Sequence, residues 1–302
     1  MNGMFTRRKT LGELIITRVI QAAGYISILF VALILLFLLR EGLPALQNVE
    51  LRTLFGTRWY PIEEYFGLLP LMFGSLTVTV GAILIAVPLG VLTAVFISEV
   101  APPWANQILK PIIEILAGIP SVVLGFIGIL VLSPFLRTGF NLPTGLTALA
   151  GCILLGWGAI PTIVSIAEDA LNAVPPSYRQ GAFALGATRW QTIWGVTFPA
   201  ARSGILTAIM LGIGRVIGET MTVMMVTGNA PTMPAGLRSF IMPIRTMTAT
   251  IAAEMGEVAA GSTHYQVLFF IGLLLFLFSL AINIAAFMVS LRRTKRQERL
   301  LS

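Results

Sequence analysis

The sequence predicts an all-α polytopic membrane protein with six transmembrane helices and both termini in the cytoplasm. Three observations predict it. The chain is 56% apolar with only 11% charged residues, its mean hydropathy is +0.89, and it holds six runs near the ~20 apolar residues that cross a hydrocarbon core. An ordinary soluble chain carries about 25% charged residues, so a soluble enzyme is excluded, and the hydrophobicity excludes a disordered chain. With one Cys (Cys152) a disulfide framework and a Cys-based zinc site are excluded, and one His (His264) argues against a histidine-rich metal centre.

Residues 1–18 form a cytoplasmic segment carrying Arg7, Arg8 and Lys9. The run 19–39 follows, with Gln21 its one strongly polar side chain. It imitates a signal peptide, but it is too long for that role and no small-x-small cleavage pattern follows; it reads as a retained first helix. Residues 40–70 form an outer loop, and 71–291 the core. No charge stands between Glu64 and Glu99, which places a second span near 71–97, with Pro88 and Gly90 predicting a kink or packing notch. A third span is expected near 115–136, with Gly118 and Pro120 at its start, and a fourth near 145–167. The fifth, near 203–226, contains Arg215 and Glu219. The sixth, near 266–291, runs into Arg292-Arg293-Thr294-Lys295-Arg296, and 292–302 is a basic cytoplasmic tail.

Six spans put both termini on one side. With the termini inside, the inner segments carry 13 of the 20 Lys and Arg residues and the outer ones 6, the asymmetry expected of cytoplasmic loops. The net charge of +7 is therefore an anchoring charge, and no nucleic-acid partner is expected. The outer connections are 40–70 and 227–265, and the one long inner connection is 168–202.

In that inner loop Pro175-Pro176 stops the preceding segment. Ser177-x-x-Gln180 has the spacing of a capping box opening a short helix that Gly186 ends, and Thr188-x-x-Gln191 repeats it to open a second helix running to Pro199. Gln180-Gly181-Ala182-x-x-x-Gly186, nine residues, then Val196-x-Phe198-Pro199 resembles the EAA motif of ATP-binding-cassette importer permeases, E-A-A-x-x-x-G-x9-I-x-L-P. The resemblance implies that this loop docks on a cytoplasmic ATPase. Gln stands for the motif's Glu, Gly for its first Ala, Val for Ile and Phe for Leu; an ordinary capped helical hairpin is the plainer reading. None of Lys9, Lys110 and Lys295 follows a Gly, so the sequence has no phosphate loop, and ATP and Mg would be bound by a partner.

Arg215 and Glu219 are spaced i, i+4 and can pair on one helix face, with Thr222 continuing the stripe. A charge at the centre of a membrane helix costs about 2.5–3.5 kcal/mol, so two of them point to function; a structural ion pair is the alternative. Gly214-x-x-x-Gly218 would let a neighbouring helix approach closely. The run Gly214-Arg215-Val216-Ile217-Gly218-Glu219-Thr220-Met221 with Gly228-Asn229 resembles permeases of the phosphate-specific importer. Ile119-Pro120-Ser121-Val122-Val123, Arg245-Thr246-Met247-Thr248 and Ala253-Glu254-Met255-Gly256-Glu257 extend the resemblance, which is closer to the PstC-type subunit than to its PstA-type sister and is weakest over residues 1–65.

The resemblance implies a type I ABC importer permease fold and a bacterial inner-membrane location. The expected partners are a homologous PstA-type permease, a homodimeric cytoplasmic ATPase, an external phosphate-binding protein, inorganic phosphate and membrane lipid; no catalysis belongs to this chain. Arg215 can present a planar fork of donors to phosphate oxygens, and Glu219 can accept the O–H that phosphate retains and sulfate lacks. An importer of another oxyanion, the sister subunit, and a secondary transporter or channel using Arg215 and Glu219 as a relay are the alternatives. His264 reads as a wet interfacial residue, Cys152 as packing, Trp59, Tyr60 and Trp157 as interfacial or packing residues, and the twelve Met residues as adaptable packing. Glu254 and Glu257 either contact a binding protein or stay solvated.

Overall fold

The computed structural model of the chain describes residues 11–301. Fourteen α-helical segments appear there: α1 (Leu11–Gly42), the single turns α2 (Ala45–Asn48) and α3 (Leu51–Leu54), α4 (Leu69–Val95), α5 (Pro103–Ala117), α6 (Ser121–Ile127), α7 (Ser133–Gly139), α8 (Ala148–Asn172), α9 (Pro176–Ala184), α10 (Arg189–Thr192), α11 (Phe198–Gly218), α12 (Met221–Val226), α13 (Met247–Glu254) and α14 (Thr263–Leu301). A two-stranded antiparallel hairpin, β1 (Trp59–Tyr60) with β2 (Tyr65–Phe66), lies between α3 and α4.

Among the described residues, six helical stretches are long and apolar enough to cross a membrane: Ile15–Asn48, Leu69–Val100, Ser121–Gly139, Ala148–Asn172, Arg189–Gly218 and Thr263–Ile284. They alternate in direction, so α1 begins and α14 finishes at the end that carries α9, opposite the hairpin. The basic residues Arg7, Arg8 and Lys9 lie outside the described residues, as do the side chains of the C-terminal basic cluster.

The centre is α8. It runs parallel to α4 and antiparallel to α11, and packs on both. Small residues permit this: a Cβ on Gly90 would stand 2.8 Å from Ile163 Cγ2, and Gly212 faces the same Ile163 from α11. Buried Ala82, Ala86, Cys152, Leu155, Ala159 and Ile163 fill the seam. The first span stands apart, touching the rest through α14. Its outer connection folds under the hairpin, where Leu54, Trp59, Phe66, Leu68 and Leu71 form a core with Val267, Leu268 and Ile271 of α14.

The third span starts at Ser121, later than the expected 115. Gly118-Ile119-Pro120 breaks the chain, since the residue before a proline is disfavoured in the α region, and α5 is a separate amphipathic helix with Leu109 and Ile113 on the core side. The fifth span starts at Arg189, earlier than the expected 203. The second loop helix does not stop at Pro199. It passes through a π-helical turn, Ile193–Thr197, into α11, whose second residue is Pro199. A proline there has no N–H to donate, and the wider π turn accommodates the lost bond.

Candidate functional site

Arg215 and Glu219 do not form the expected i, i+4 pair. The helix ends at Gly218, and Glu219 (φ −72°, ψ 129°) leaves it extended, so the two side chains no longer share a helical register. No ion pair joins them among those of the described residues. Glu219 Oε1 instead accepts the N–H groups of Thr220 at 3.1 Å and Thr222 at 3.3 Å, satisfying donors that a helix start leaves without partners.

Arg215 donates through Nη1 to Thr162 Oγ1 at 2.8 Å and through Nη2 to the carbonyl of Ala117 at 3.3 Å. Ala117 is the last residue of α5, so this carbonyl lacks an intrahelical partner and lies at the negative end of the helix dipole. Thr222 does not continue a stripe along one helix. It belongs to α12, is 1% exposed, and donates its hydroxyl to the carbonyl of Ser121 at 3.0 Å.

The break nevertheless brings the three residues together. Arg215, Glu219 and Thr222 line one small, partly open pocket with Ser121 and Gly158, against Leu124, Leu154 and Leu155. Glu219 also lines a second, shallower pocket, where Ser75, Thr79, Thr246 and Thr248 supply hydroxyls. Thr248 donates to the Glu219 carbonyl at 3.2 Å, so Glu219 stands between the two spaces. Arg215 keeps guanidinium donors beyond the two it uses here. A cation, hydroxyls and a carboxylate thus face one small space lined in part by apolar side chains.

Gly214 and Gly218 are not a packing seam within this chain, because a Cβ on either meets nothing within 4 Å. The close approaches on α11 fall at Gly204 and Gly212, against Ala170 and Ile163 of α8. The face with Gly214 and Gly218 is open.

In the loop, Ser177 is not an N-cap. Pro175 caps α9 and Pro176 opens it, with no side-chain cap hydrogen bond, because proline at the first turn is already set for the helix. The second expected cap forms: Gln191 N–H donates to Thr188 Oγ1 at 3.3 Å, and Thr188 N–H to Gln191 Oε1 at 2.8 Å. Gly186 ends α9 with φ +81°; Ala187 N–H reaches Ala182 O at 3.0 Å and Gly186 N–H reaches Phe183 O at 2.9 Å, a Schellman closure. Gln180, Gly181 and Gly186 are exposed and Ala182 half-buried. Val196, Phe198 and Pro199 are not on that surface: Val196 lies in the π turn and the other two in the first turn of α11, where Phe198 packs on the core. Around α9 stand exposed Tyr178, Phe183, Trp190 and Trp194, with Leu185 91% exposed. The motif's spacing did not point to these large apolar side chains.

Two polar clusters were not legible as clusters. At the hairpin end, Glu254 accepts Arg245 Nη2 at 2.6 Å, Trp59 Nε1 at 3.1 Å and meets His264 Nε2 at 2.8 Å. His264 is thus not a wet interfacial residue, nor does Glu254 stay solvated. At the α9 end, Lys110 lies 3.3 Å from both Glu168 Oε2 and Asp169 Oδ1. Burial acts to lower the Lys110 pKa, but the hydrogen bonds and charges of Asp169 and Glu168 outweigh it and hold the ammonium above its usual value. A Lys and two carboxylates at similar depth were visible in the sequence, but which of them meet was not.

Six alternating spans, with the short helix α9 between the fourth and the fifth, define a multi-pass membrane protein. The chain belongs to the family described as binding-protein-dependent transport system inner membrane component, whose profile matches residues 86–295. It is 41% identical over 268 residues to the probable ABC transporter permease protein YqgH of Bacillus subtilis, covering 86% of this chain and 85% of that one. It is 33% identical over 303 residues to the phosphate transport system permease protein PstC of Mesorhizobium japonicum, covering 94% and 91% respectively. A bacterial alginate ABC transporter chain superposes with TM-score 0.63 at 18% identity, covering 95% of this chain and 99% of that one. A chain of the MetNI methionine ABC transporter does so with TM-score 0.54 at 21%, covering 77% and 98%. The fold is that of type I ABC importer permeases, in a multi-pass protein of the bacterial inner membrane.

Proposed function

We propose that this chain is the PstC-type half of the translocation path of an ATP-driven importer of inorganic phosphate. The observation that carries the reading is Arg215: a guanidinium in a membrane span, held by Thr162 and Ala117 at the wall of a small cavity that Glu219 and Thr222 also line. The likeness to phosphate transport system permease proteins PstC supports phosphate as the cargo. Arg215 offsets the cost of bringing an anion out of water. Glu219 accepts a hydrogen bond from the O–H that phosphate carries, while sulfate would set bare oxygens against the carboxylate and leave it unpaired.

In this reading the α9 end faces the cytoplasm, in keeping with the basic excess on that side. A homologous PstA-type permease completes the path, across a face that includes the open Gly214 and Gly218. A homodimeric ATPase, which binds ATP and Mg, docks on the surface around Gln180, Gly181, Ala182 and Gly186, and an external phosphate-binding protein docks at the hairpin end. Val196, Phe198 and Pro199 carry the loop's movement into α11.

The test is ATP-dependent uptake of labelled phosphate into vesicles holding the purified complex, with the wild-type chain and with Arg215→Ala. Uptake in the first and its loss in an assembled Arg215→Ala complex is the expected result. Uptake indifferent to the substitution would reduce Arg215 to a packing ion. An assembled complex that hydrolyses ATP and carries sulfate or molybdate in place of phosphate would assign another oxyanion.

A further inference from the structure

α9 has no buried residue, and its aromatic side chains face outward, so its attachment to the membrane helices has to be sought in specific contacts. They converge on Glu99. This residue lies in the π-helical turn Phe96–Val100 that ends the second span, and its side chain is 8% exposed. Its carboxylate takes Arg179 of α9 through Nη2 at 2.6 Å and through Nε at 3.2 and 3.3 Å. Its backbone carbonyl takes Arg189 Nη2 of α10. One residue of the second span thus holds the loop on both sides of Gly186.

Arg179 is committed further. Nη1 donates to Val174 O at 2.8 Å and Nη2 to Leu171 O at 2.9 Å, carbonyls at and just beyond the end of α8. A guanidinium bridging a carboxylate and two carbonyls uses the planar fork that no other side chain supplies. From the same turn, Ser98 donates to Asn172 Oδ1 at 2.7 Å, Asn172 donates to Glu168 Oε1 at 3.0 Å, and Glu168 pairs with Lys110 of α5. The far end of α5, about 10 Å on at 1.5 Å per residue, is Ala117, whose carbonyl holds Arg215. The contacts are continuous from α9 to the cavity.

We propose that Glu99 is the joint through which displacement of α9 moves the membrane helices. Glu99 is a positioning residue: it acts by gripping Arg179 and Arg189, and touches no transported ion. The charged hold on the loop is internal to the chain, while Gln180, at the position where the related motif carries Glu, is exposed and uncharged. The assignment rests on the reading that α9 is the ATPase-docking helix. A π turn, with its poorer hydrogen-bond geometry, is a place where a helix end can yield without unwinding the rest.

The experiment measures ATP hydrolysis and phosphate uptake together in the reconstituted complex and takes their ratio. Glu99→Gln keeps the size and one acceptor but loses the charge. Uptake per ATP is expected to fall about tenfold, the equivalent of one charge-assisted hydrogen bond, with the ATPase still bound and hydrolysing. The second variant replaces both partners, Glu99→Cys with Arg179→Cys, in a Cys152→Ala background, since Cys152 is the sole cysteine. Joining the two thiols with a short spacer that a reductant cleaves should restore uptake per ATP, and reduction should remove it again. A merely structural role would leave the ratio indifferent to the bridge.

An unchanged ratio in Glu99→Gln, or a bridged pair no better than the reduced one, overturns the proposal. If Glu99→Gln does not assemble, the bridged pair decides alone. A wild-type complex that binds no ATPase, or takes up phosphate without ATP, would instead overturn the docking reading and this joint with it.

Discussion

Arg215 reaches across to the carbonyl of Ala117 at 3.3 Å and leaves Glu219, four residues along its own chain, to close the start of the next helix. The cation is therefore already placed by the end of α5 and by Thr162 of α8, independently of the carboxylate. A lysine cannot reproduce that fork. Arg215→Lys is expected to assemble and bind its ATPase while uptake falls at least about tenfold, the cost of one charge-assisted hydrogen bond. Unchanged uptake would show that charge alone suffices at this position.

Glu219 combines a structural contact with a chemical one, and two substitutions separate them. Glu219→Gln retains an oxygen for the N–H groups of Thr220 and Thr222, so thermal unfolding should match the wild type. Phosphate uptake should then become sensitive to competing sulfate. Glu219→Ala removes the acceptor and should cost about 1 kcal/mol of stability besides, as lost caps do. A Gln variant that still excludes sulfate would refute the selectivity role.

Ile163 is packed between Gly90 of α4 and Gly212 of α11. Gly212→Val should lower the unfolding temperature, with an overpacking cost of about 1–3 kcal/mol. Ile163→Ala in the same chain should recover part of it by making room. Gly214→Ala is expected to leave the unfolding of the isolated chain unchanged, because nothing stands within 4 Å of its added Cβ.

The positive φ of Gly186 makes the end of α9 depend on glycine. Gly186→Ala should cost about 1–2 kcal/mol locally, the penalty of a left-handed residue with a Cβ, and weaken co-purification of the ATPase. Gly186→Pro, whose ring fixes φ near −65°, should abolish coupled uptake. If it leaves coupled uptake intact, the docking assignment of this loop fails.

Glu254 joins the outer connection before α4 to the one before α14. Removing it leaves Arg245, 15% exposed, without its carboxylate. Glu254→Ala should therefore destabilise by about 3 kcal/mol, the lower range for breaking a buried pair. Trp59→Phe, which loses one hydrogen bond, should cost about 1 kcal/mol. Thermal unfolding in detergent separates the two, and equal losses would argue against the carboxylate as the centre of the cluster.

The number of spans was legible because membrane insertion is decided locally: each crossing must hide its own backbone in about 20 apolar residues. The Thr188–Gln191 cap and the stop at Gly186 were legible for the same reason, since both are satisfied within a few residues. Arg215 and Glu219 stood out by the cost of charge in hydrocarbon. Periodicity, however, assumed one helix through both residues, and only the folded chain shows that it stops at Gly218.

Which partners a charged side chain takes is a long-range matter. Arg215 meets Ala117 and Thr162, Glu99 meets Arg179, and Glu254 meets Trp59 and His264 across separations that no spacing rule reaches. Residue types and local hydrogen bonding thus determined the six spans, the capped loop and the candidate charges. Tertiary packing decided which charge faces which, because a buried polar group takes the acceptor that the neighbouring helix brings to it.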